Sequence, residues 1–128
     1  DGGLTWIEVE SPYEGSFFGA VAARDGVLLV FGMRGNIFRS ADNGATWQNI
    51  EIETTTAFNG GTMLSDGRIV LVGNSGLVAE STDNGASFQV QWSSAGRGFA
   101  AVAEVPGGLV VAGESGVRRL DPSTLASK

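Results

Sequence analysis

The chain has 128 residues, enough for one domain with a hydrophobic core, and its 14 acidic and 8 basic residues give a net charge of −6. This charge argues against a nucleic-acid or anionic-membrane partner. The sequence lacks Cys and His, which excludes disulfides, zinc–thiolate sites, cysteine nucleophiles and histidine general bases. No apolar run is long enough for a membrane helix and no signal-peptide pattern occurs, so no membrane insertion is expected.

A 41-residue repeat organises the chain. The strings SADNGATW (40–47) and STDNGASF (81–88) are near copies, and the opening DGGLTW (1–6) keeps the later part of the same pattern. Repeats of about 20 to 50 residues are typical of solenoids and propellers. Each copy places an Asp and an aromatic residue at matching positions, namely Asp1, Asp42 and Asp83, and Trp6, Trp47 and Phe88.

Each repeat is predicted to form four short strands. The apolar runs are separated by turn residues and show no helical periodicity. In the first repeat the strands are expected at 17–23, 27–32, 36–40 and 46–53. Within a single segment, 1–128, we expect an outer strand at 4–10, complete blades at 17–53 and 58–93, and an incomplete blade at 98–121.

The composition of each strand predicts its place in a blade. VLLVFG (27–32) and RIVLVG (68–73) are continuously apolar, as expected for strands covered on both faces by neighbouring sheets. FFGAVAA (17–23) is rich in Gly and Ala, which favours a crowded innermost position. TWQNIEIE (46–53) alternates polar and apolar residues, which favours an outer strand with one wet face.

The DNG loop within each copy is predicted to be a structural staple. A hairpin loop needs residues with positive φ, and Asn-Gly supplies them. The Asp carboxylate can accept hydrogen bonds from the loop's own N–H groups, and the preceding Ser can do the same. One carboxylate per loop falls short of the roughly six to eight oxygens that Ca²⁺ prefers, so no metal site is expected. The residues assigned to this structural role are Asp1, Trp6, Ser40, Asp42, Gly44, Trp47, Ser81, Asp83, Gly85 and Phe88.

Four-stranded repeats with one aromatic residue each predict an all-β β-propeller, with a parallel β-helix as the alternative. The strings at 40–47 and 81–88 resemble the Asp box, S-x-D-x-G-x-[T/S]-[W/F], of sialidase-type and other Asp-box (BNR-repeat) propellers. With the preceding G-x-x-G, as in GMRGNIFRSADNGATW (32–47), the pattern is most similar to the photosystem II stability/assembly factor-like family. That resemblance implies a protein-binding assembly factor in an extracytoplasmic setting such as the periplasm. No cofactor is expected.

About three blades are too few for an ordinary closed ring, since propellers typically have about four to eight. Two arrangements are expected: two chains exchange outer strands to form a six-bladed ring, or the chain is the C-terminal part of a longer protein. A start at Asp1, within a motif, favours the second arrangement for the natural protein. An isolated chain of these residues is expected to form a homodimer, because its sheet edges are otherwise open.

The face opposite the DNG loops is predicted to bind a protein client. The loops between the second and third strands of each blade lie on this face. Arg34 and Arg97 are the main candidates, because a guanidinium offers a planar fork to a client carboxylate. Tyr13 and Asn74 belong to the same predicted face. Either arginine could instead be a solvated loop residue.

Two other function classes are weaker alternatives. A sialidase-like hydrolase needs a Tyr nucleophile beside a Glu, but Tyr13 and Glu14 are chain neighbours whose side chains point apart in extended backbone. The arginines are also not at matching positions of the blades, so no catalytic residue is assigned. A carbohydrate-binding propeller would need exposed aromatic rings, for which Trp92 is the candidate, with partial burial at the rim as the competing interpretation.

Overall fold

The computed structural model describes residues 15–93, 97–114 and 116–120, and these form three antiparallel sheets. The first sheet contains β1 (Phe17–Ala22), β2 (Leu28–Gly32), β3 (Ile37–Ser40) and β4 (Gln48–Asn49). The second contains β5 (Phe58–Met63), β6 (Ile69–Gly73), β7 (Leu77–Ser81) and β8 (Gln89–Trp92). The third contains β9 (Phe99–Val105), β10 (Gly108–Gly113) and β11 (Gly116–Leu120).

In every sheet, strands that follow one another in the chain are hydrogen-bonded neighbours. Each sheet is therefore a meander that begins at one edge and ends at the other. The first strands of the sheets lie side by side, with β1 against β5 and β5 against β9. The three sheets thus fan out from adjacent inner strands, which is the arrangement of propeller blades. The predicted all-β fold with four-stranded antiparallel blades is confirmed.

The hydrophobic core lies between the sheets. Ile69 and Leu71 of β6 pack against the first sheet, whereas Val70 and Val72 pack against the third. Successive residues of a strand point to opposite faces, so a strand covered on both sides is apolar at every position. All four of these side chains are fully buried. The continuous apolar run of β6 is explained by its position in the middle blade.

The inner strands are crowded, as their Gly and Ala content predicts. A Cβ atom at Gly60 of β5 would lie 2.7 Å from the carbonyl oxygen of Ala100 in β9. At Gly19 of β1 it would lie 2.6 Å from the ring of Phe31. A larger side chain at Gly60 would force the second and third sheets apart, and one at Gly19 would displace the Phe31 ring of its own sheet.

Each inner strand also carries a β-bulge that the sequence interpretation did not include. The register between inner and second strands slips by one residue near the start of every blade. The extra residues are Phe18, Asn59 and Ala100, spaced at the 41-residue interval. A bulge leaves its extra residue unpaired and redirects its side chain. In each blade the bulge lies at the end where the second strand turns into the third.

The outer strand of the first blade is shorter than predicted. A strand over 46–53 was expected, but β4 comprises only Gln48–Asn49. Pairing continues for one residue, since the Ile50 N–H donates to the Ile37 carbonyl at 2.8 Å, and Ile50 is buried. An outer strand has one neighbour, so its ladder ends where the chain leaves for the next blade. The alternation of polar and apolar residues over 46–53 indicated which side chains face the core. It did not indicate how many residues are hydrogen-bonded to β3.

Candidate protein-binding face

The two DNG loops within the described residues have the same hydrogen-bonded geometry. Ser40 Oγ accepts from the N–H of Gly44 at 2.7 Å and donates to Asp42 Oδ1 at 2.8 Å. Asp42 Oδ1 also accepts from the N–H of Thr46 at 2.8 Å, and Asp42 Oδ2 accepts from the Thr46 hydroxyl. Asn43 and Gly44 have φ values of 63° and 98°, the left-handed conformation that Asn-Gly adopts most readily.

The second loop repeats this pattern residue for residue. Ser81 Oγ accepts from the Gly85 N–H at 2.9 Å, and Asp83 accepts from both the N–H and the hydroxyl of Ser87. Ser40 and Ser81 are buried although polar, because their hydroxyls are fully used inside the loop. The carboxylate oxygens are occupied by the loop itself.

These bonds lower the pKa of both Asp side chains. The hydroxyl and N–H of Thr46, together with Ser40, lower the pKa of Asp42 to about 2. Partial burial acts to raise the pKa of Asp83, but hydrogen bonds from Ser87 and Ser81 outweigh it and leave this pKa lowered. A carboxylate that accepts several hydrogen bonds is favoured in its charged form. Both loops are therefore held by ionised Asp at neutral pH.

The second DNG loop also joins two blades. The Asn84 side chain accepts from the Arg24 N–H at 3.1 Å and donates to the Arg24 carbonyl at 3.0 Å, so it pairs with the first blade as a strand would. The residue of the second blade that is equivalent to Arg24 is Ser65. Its N–H and hydroxyl donate to the carboxylate of Glu104, at 2.8 and 3.0 Å. The DNG loops are thus tied by contacts within and between blades, and a cleft of about 320 Å³ opens beside Arg24 and Asn84 on the same side.

The two described aromatic residues of the repeat lie in different surroundings. Phe88 is half-buried and packs against the core between the first and second sheets, the position predicted for it. Trp47 is also half-buried, and its indole N–H is buried without a partner among the described residues. Neither core cluster includes it. By equivalence with Phe88, Trp47 belongs to the side of the first sheet that faces away from the second.

The opposite face carries the residues predicted to bind a client. Arg34 lies in the three-residue turn after β2, is exposed, and has a φ of 60°. Asn74 begins the corresponding turn of the second blade, and Arg97 precedes β9; both are exposed. Strands β2 and β6 run toward this face and β9 starts from it, so each of the three described sheets contributes one of these residues to the face. Tyr13 lies outside the described residues, as do Asp1, Trp6 and the expected outer strand 4–10.

A cleft of about 420 Å³ opens on this face between the second and third sheets. Its walls include Phe99, Ala100 and Ala112, and Glu114 lies at its rim, where the carboxylate accepts from the Gly98 N–H at 2.7 Å. Asn59, the bulge residue of β5, crosses the junction by donating to the Phe99 carbonyl at 2.9 Å. The sequence interpretation missed Asn59. The repeat could have indicated it, because a polar residue stands at position 59 where the other two repeats have the apolar residues Phe18 and Ala100.

Several other arginines are engaged elsewhere. Arg39 Nε donates to the Asn84 carbonyl at 3.1 Å, Arg68 pairs with Asp66 and Glu80, and Arg119 donates to the Pro106 carbonyl. They lie in three different sheets with different partners, rather than around one point. Trp92, the candidate for carbohydrate binding, is 51% exposed at the edge of the second sheet.

The fold is that of a β-propeller segment, and a comparison with solved structures agrees. The structure of YCF48 bound to D1 peptide aligns with this chain at a TM-score of 0.59 and 20% sequence identity. The alignment covers 96% of this chain and 41% of the YCF48 chain, so this chain spans less than half of that protein. No protein-family model and no curated protein matches the sequence. Among the described residues no helix is long and apolar enough to cross a membrane.

Proposed function

We propose that this chain is a non-catalytic propeller scaffold that binds a protein client through the face opposite the DNG loops. The observation that carries the proposal is the contrast between the two faces. On the DNG face, Asp42, Asp83 and Asn84 are tied into bonds within and between blades. On the other face, Arg34 and Arg97 are exposed at loop ends, and a cleft opens between the second and third sheets.

The chemistry of that face suits a carboxylate-bearing protein segment. A guanidinium binds a carboxylate through two parallel hydrogen bonds. Arg34 and Arg97 therefore give this acidic protein two positively charged groups that can bind an anionic group of a client. The likeness to YCF48, which is seen with a bound peptide, supports a protein client. The resemblance of the DNG strings to Asp boxes, and of the wider repeat to assembly-factor propellers, supports the same function in an extracytoplasmic, periplasmic compartment.

The proposal includes self-association of the isolated chain. The outward sides of the first and third sheets carry Leu28, Val30 and Val110, which are half-buried. The corresponding strand of the middle sheet, β6, is fully buried. Two copies that pack these sides together would form a six-bladed ring. Such a homodimer would place two copies of the binding face side by side.

The test is capture of the client by the full-length protein from an extract of its own source. The Arg34→Glu/Arg97→Glu variant should lose the client recovered by the wild type. Arg24→Glu/Arg118→Glu is the matched control, because both of these arginines are also exposed and the change in charge is the same. The control should retain the client. Retention by the Arg34/Arg97 variant would show that the face is wrongly assigned.

A further inference from the structure

The strongest unassigned feature is a pair of amide side chains at the mouth of the cleft between the second and third sheets. Asn59 Nδ2 donates to Asn74 Oδ1 at 2.9 Å and to the Phe99 carbonyl at 2.9 Å. Asn59 is half-buried and Asn74 is exposed. Both line the cleft.

The Phe99 carbonyl determines how both amides are oriented. A carbonyl oxygen can only accept, so the nitrogen of Asn59 must face it. The same nitrogen then requires the oxygen of Asn74 as its second acceptor. Asn59 Oδ1 and Asn74 Nδ2 are left over, and neither bonds to any other described residue. Among the described residues, the cleft therefore offers one acceptor and one donor that no other group uses.

Comparison among the repeats shows that this pair is not a requirement of the fold. The residues equivalent to Asn59 and Asn74 are Phe18 and Met33 in the first blade. Phe18 and Met33 are exposed, apolar and make the same bulge and turn. A structural device is needed in every blade, as with the DNG loops, whereas a binding site is needed once. The amide pair occurs in the second blade alone of these two.

We propose that this cleft binds one extended stretch of the client's backbone. A client N–H donates to Asn59 Oδ1, Asn74 Nδ2 donates to a client carbonyl, and a small apolar client side chain lies over Ala100 and Ala112. An acceptor and a donor that line one cleft complement the N–H and C=O of an extended peptide, and adjacent apolar walls add the side-chain specificity seen in strand-type peptide recognition. This inference rests on the proposed function and adds the form in which the client is recognised.

The probe is a set of fluorescein-labelled nine-residue peptides of Gly, Ser and two Asp, whose central residue is Gly or Val. Binding to the full-length protein is measured by fluorescence anisotropy. The Val peptide should bind about ten-fold more tightly than the Gly peptide, since burial of one Val side chain is worth about that factor. N-methylation of the single backbone N–H that meets Asn59 should weaken binding about ten-fold, while methylation at distant positions should not.

The variant is Asn74→Asp, which keeps the oxygen that Asn59 needs and removes the outward donor. Ser75→Asp is the matched control, because it adds the same charge to the adjacent exposed position. We expect Asn74→Asp to weaken peptide binding about ten-fold more than Ser75→Asp, with equal thermal unfolding midpoints. The N-methyl series uses the wild-type protein and so tests the inference even if Asn74→Asp folds poorly.

The possible failures separate the two proposals. If no N-methyl position matters, or if the two Asp variants bind equally, the backbone-reading cleft is wrong. It is also wrong if the peptides fail to bind while the intact client is captured. The scaffold function stands in each of these cases provided that Arg34→Glu/Arg97→Glu abolishes client capture. If that variant retains the client, the scaffold face fails whatever the peptides show.

Discussion

The carboxylate of Asp42 and the hydroxyl of Ser40 together hold the first DNG loop. The carboxylate accepts from the N–H and hydroxyl of Thr46 and from the hydroxyl of Ser40, which in turn accepts from the Gly44 N–H. The N–H groups of Gly44 and Thr46, which the sharp turn would leave without a partner, are thereby satisfied. The same set of bonds at Asp83 shows that the motif is a transferable unit of structure.

Protonation of these carboxylates should destabilise the fold in acid. The pKa of Asp42 in the folded protein, about 2, lies below the value of about 3.9 for an unfolded chain. Its stabilising contribution is therefore fully present above about pH 4 and is lost as the pH falls through about 2. The lowered pKa of Asp83 acts in the same direction. In urea unfolding at steps from pH 6 to pH 2, the free energy of unfolding should decrease most below pH 4.

The Asp42→Asn variant separates this effect from general acid denaturation. It should be less stable than the wild type at pH 6, and its stability should decline less steeply below pH 4. Glu51→Gln, at an exposed position beyond β4, is the control and should follow the wild-type curve. Parallel curves for wild type and Asp42→Asn would contradict the assigned role of the carboxylate.

Local contacts were predictable from the sequence, whereas contacts between blades were not. All partners of Asp42 lie within four residues of it, so turn chemistry alone indicates them. Asn84 and Arg24 are 60 residues apart, and Asn59 reaches 40 residues ahead to Phe99. Such pairs depend on how far apart the sheets lie and at what angle, which a repeat period does not specify. The backbone-reading cleft is for this reason visible only in the folded chain.

At the scale of the strands, position in the blade explains composition. The second strand of the middle blade, β6, is buried on both faces and is apolar throughout. The inner strands are rich in Gly and Ala because they approach one another closely. The outer strands β4 and β8 each have one neighbour, yet β4 has two residues and β8 has four. Burial could be inferred from residue type, but the length of an edge ladder could not.

A matched pair of core substitutions tests this arrangement. Ile69 and Leu28 occupy equivalent positions 41 residues apart, but Ile69 is fully buried between two sheets and Leu28 is half-buried. Ile69→Ala should cost about 2–5 kcal/mol in the free energy of unfolding, because it leaves a cavity in a packed core. Leu28→Ala removes a side chain of the same size and should cost roughly half as much or less. Chemical denaturation of both variants measures the difference, and equal losses would show that the first sheet is covered as completely as the second.

At the scale of the whole molecule, the middle sheet is covered on one face by the first sheet and on the other face by the third. The sides of the first and third sheets that face away from it carry Leu28, Val30 and Val110, all half-buried, and Val117 in β11 is 74% exposed. Propellers close into rings because every blade needs a neighbour on both sides. The described residues supply both neighbours for one blade only.

A recombinant chain of these 128 residues should therefore self-associate through its outer blades. Sedimentation velocity at micromolar concentration should show a dimer, since two chains can cover each other's outward sides in a closed ring. Val30→Glu places a charge on one of these sides and should shift the chain to monomer, because a buried unpaired carboxylate is costly. Trp92→Glu is the control. It alters an exposed apolar residue in β8, the outer strand of the middle sheet, and should leave the dimer intact. A wild-type chain that stays monomeric at tens of micromolar would show that the outward sides are covered within the chain.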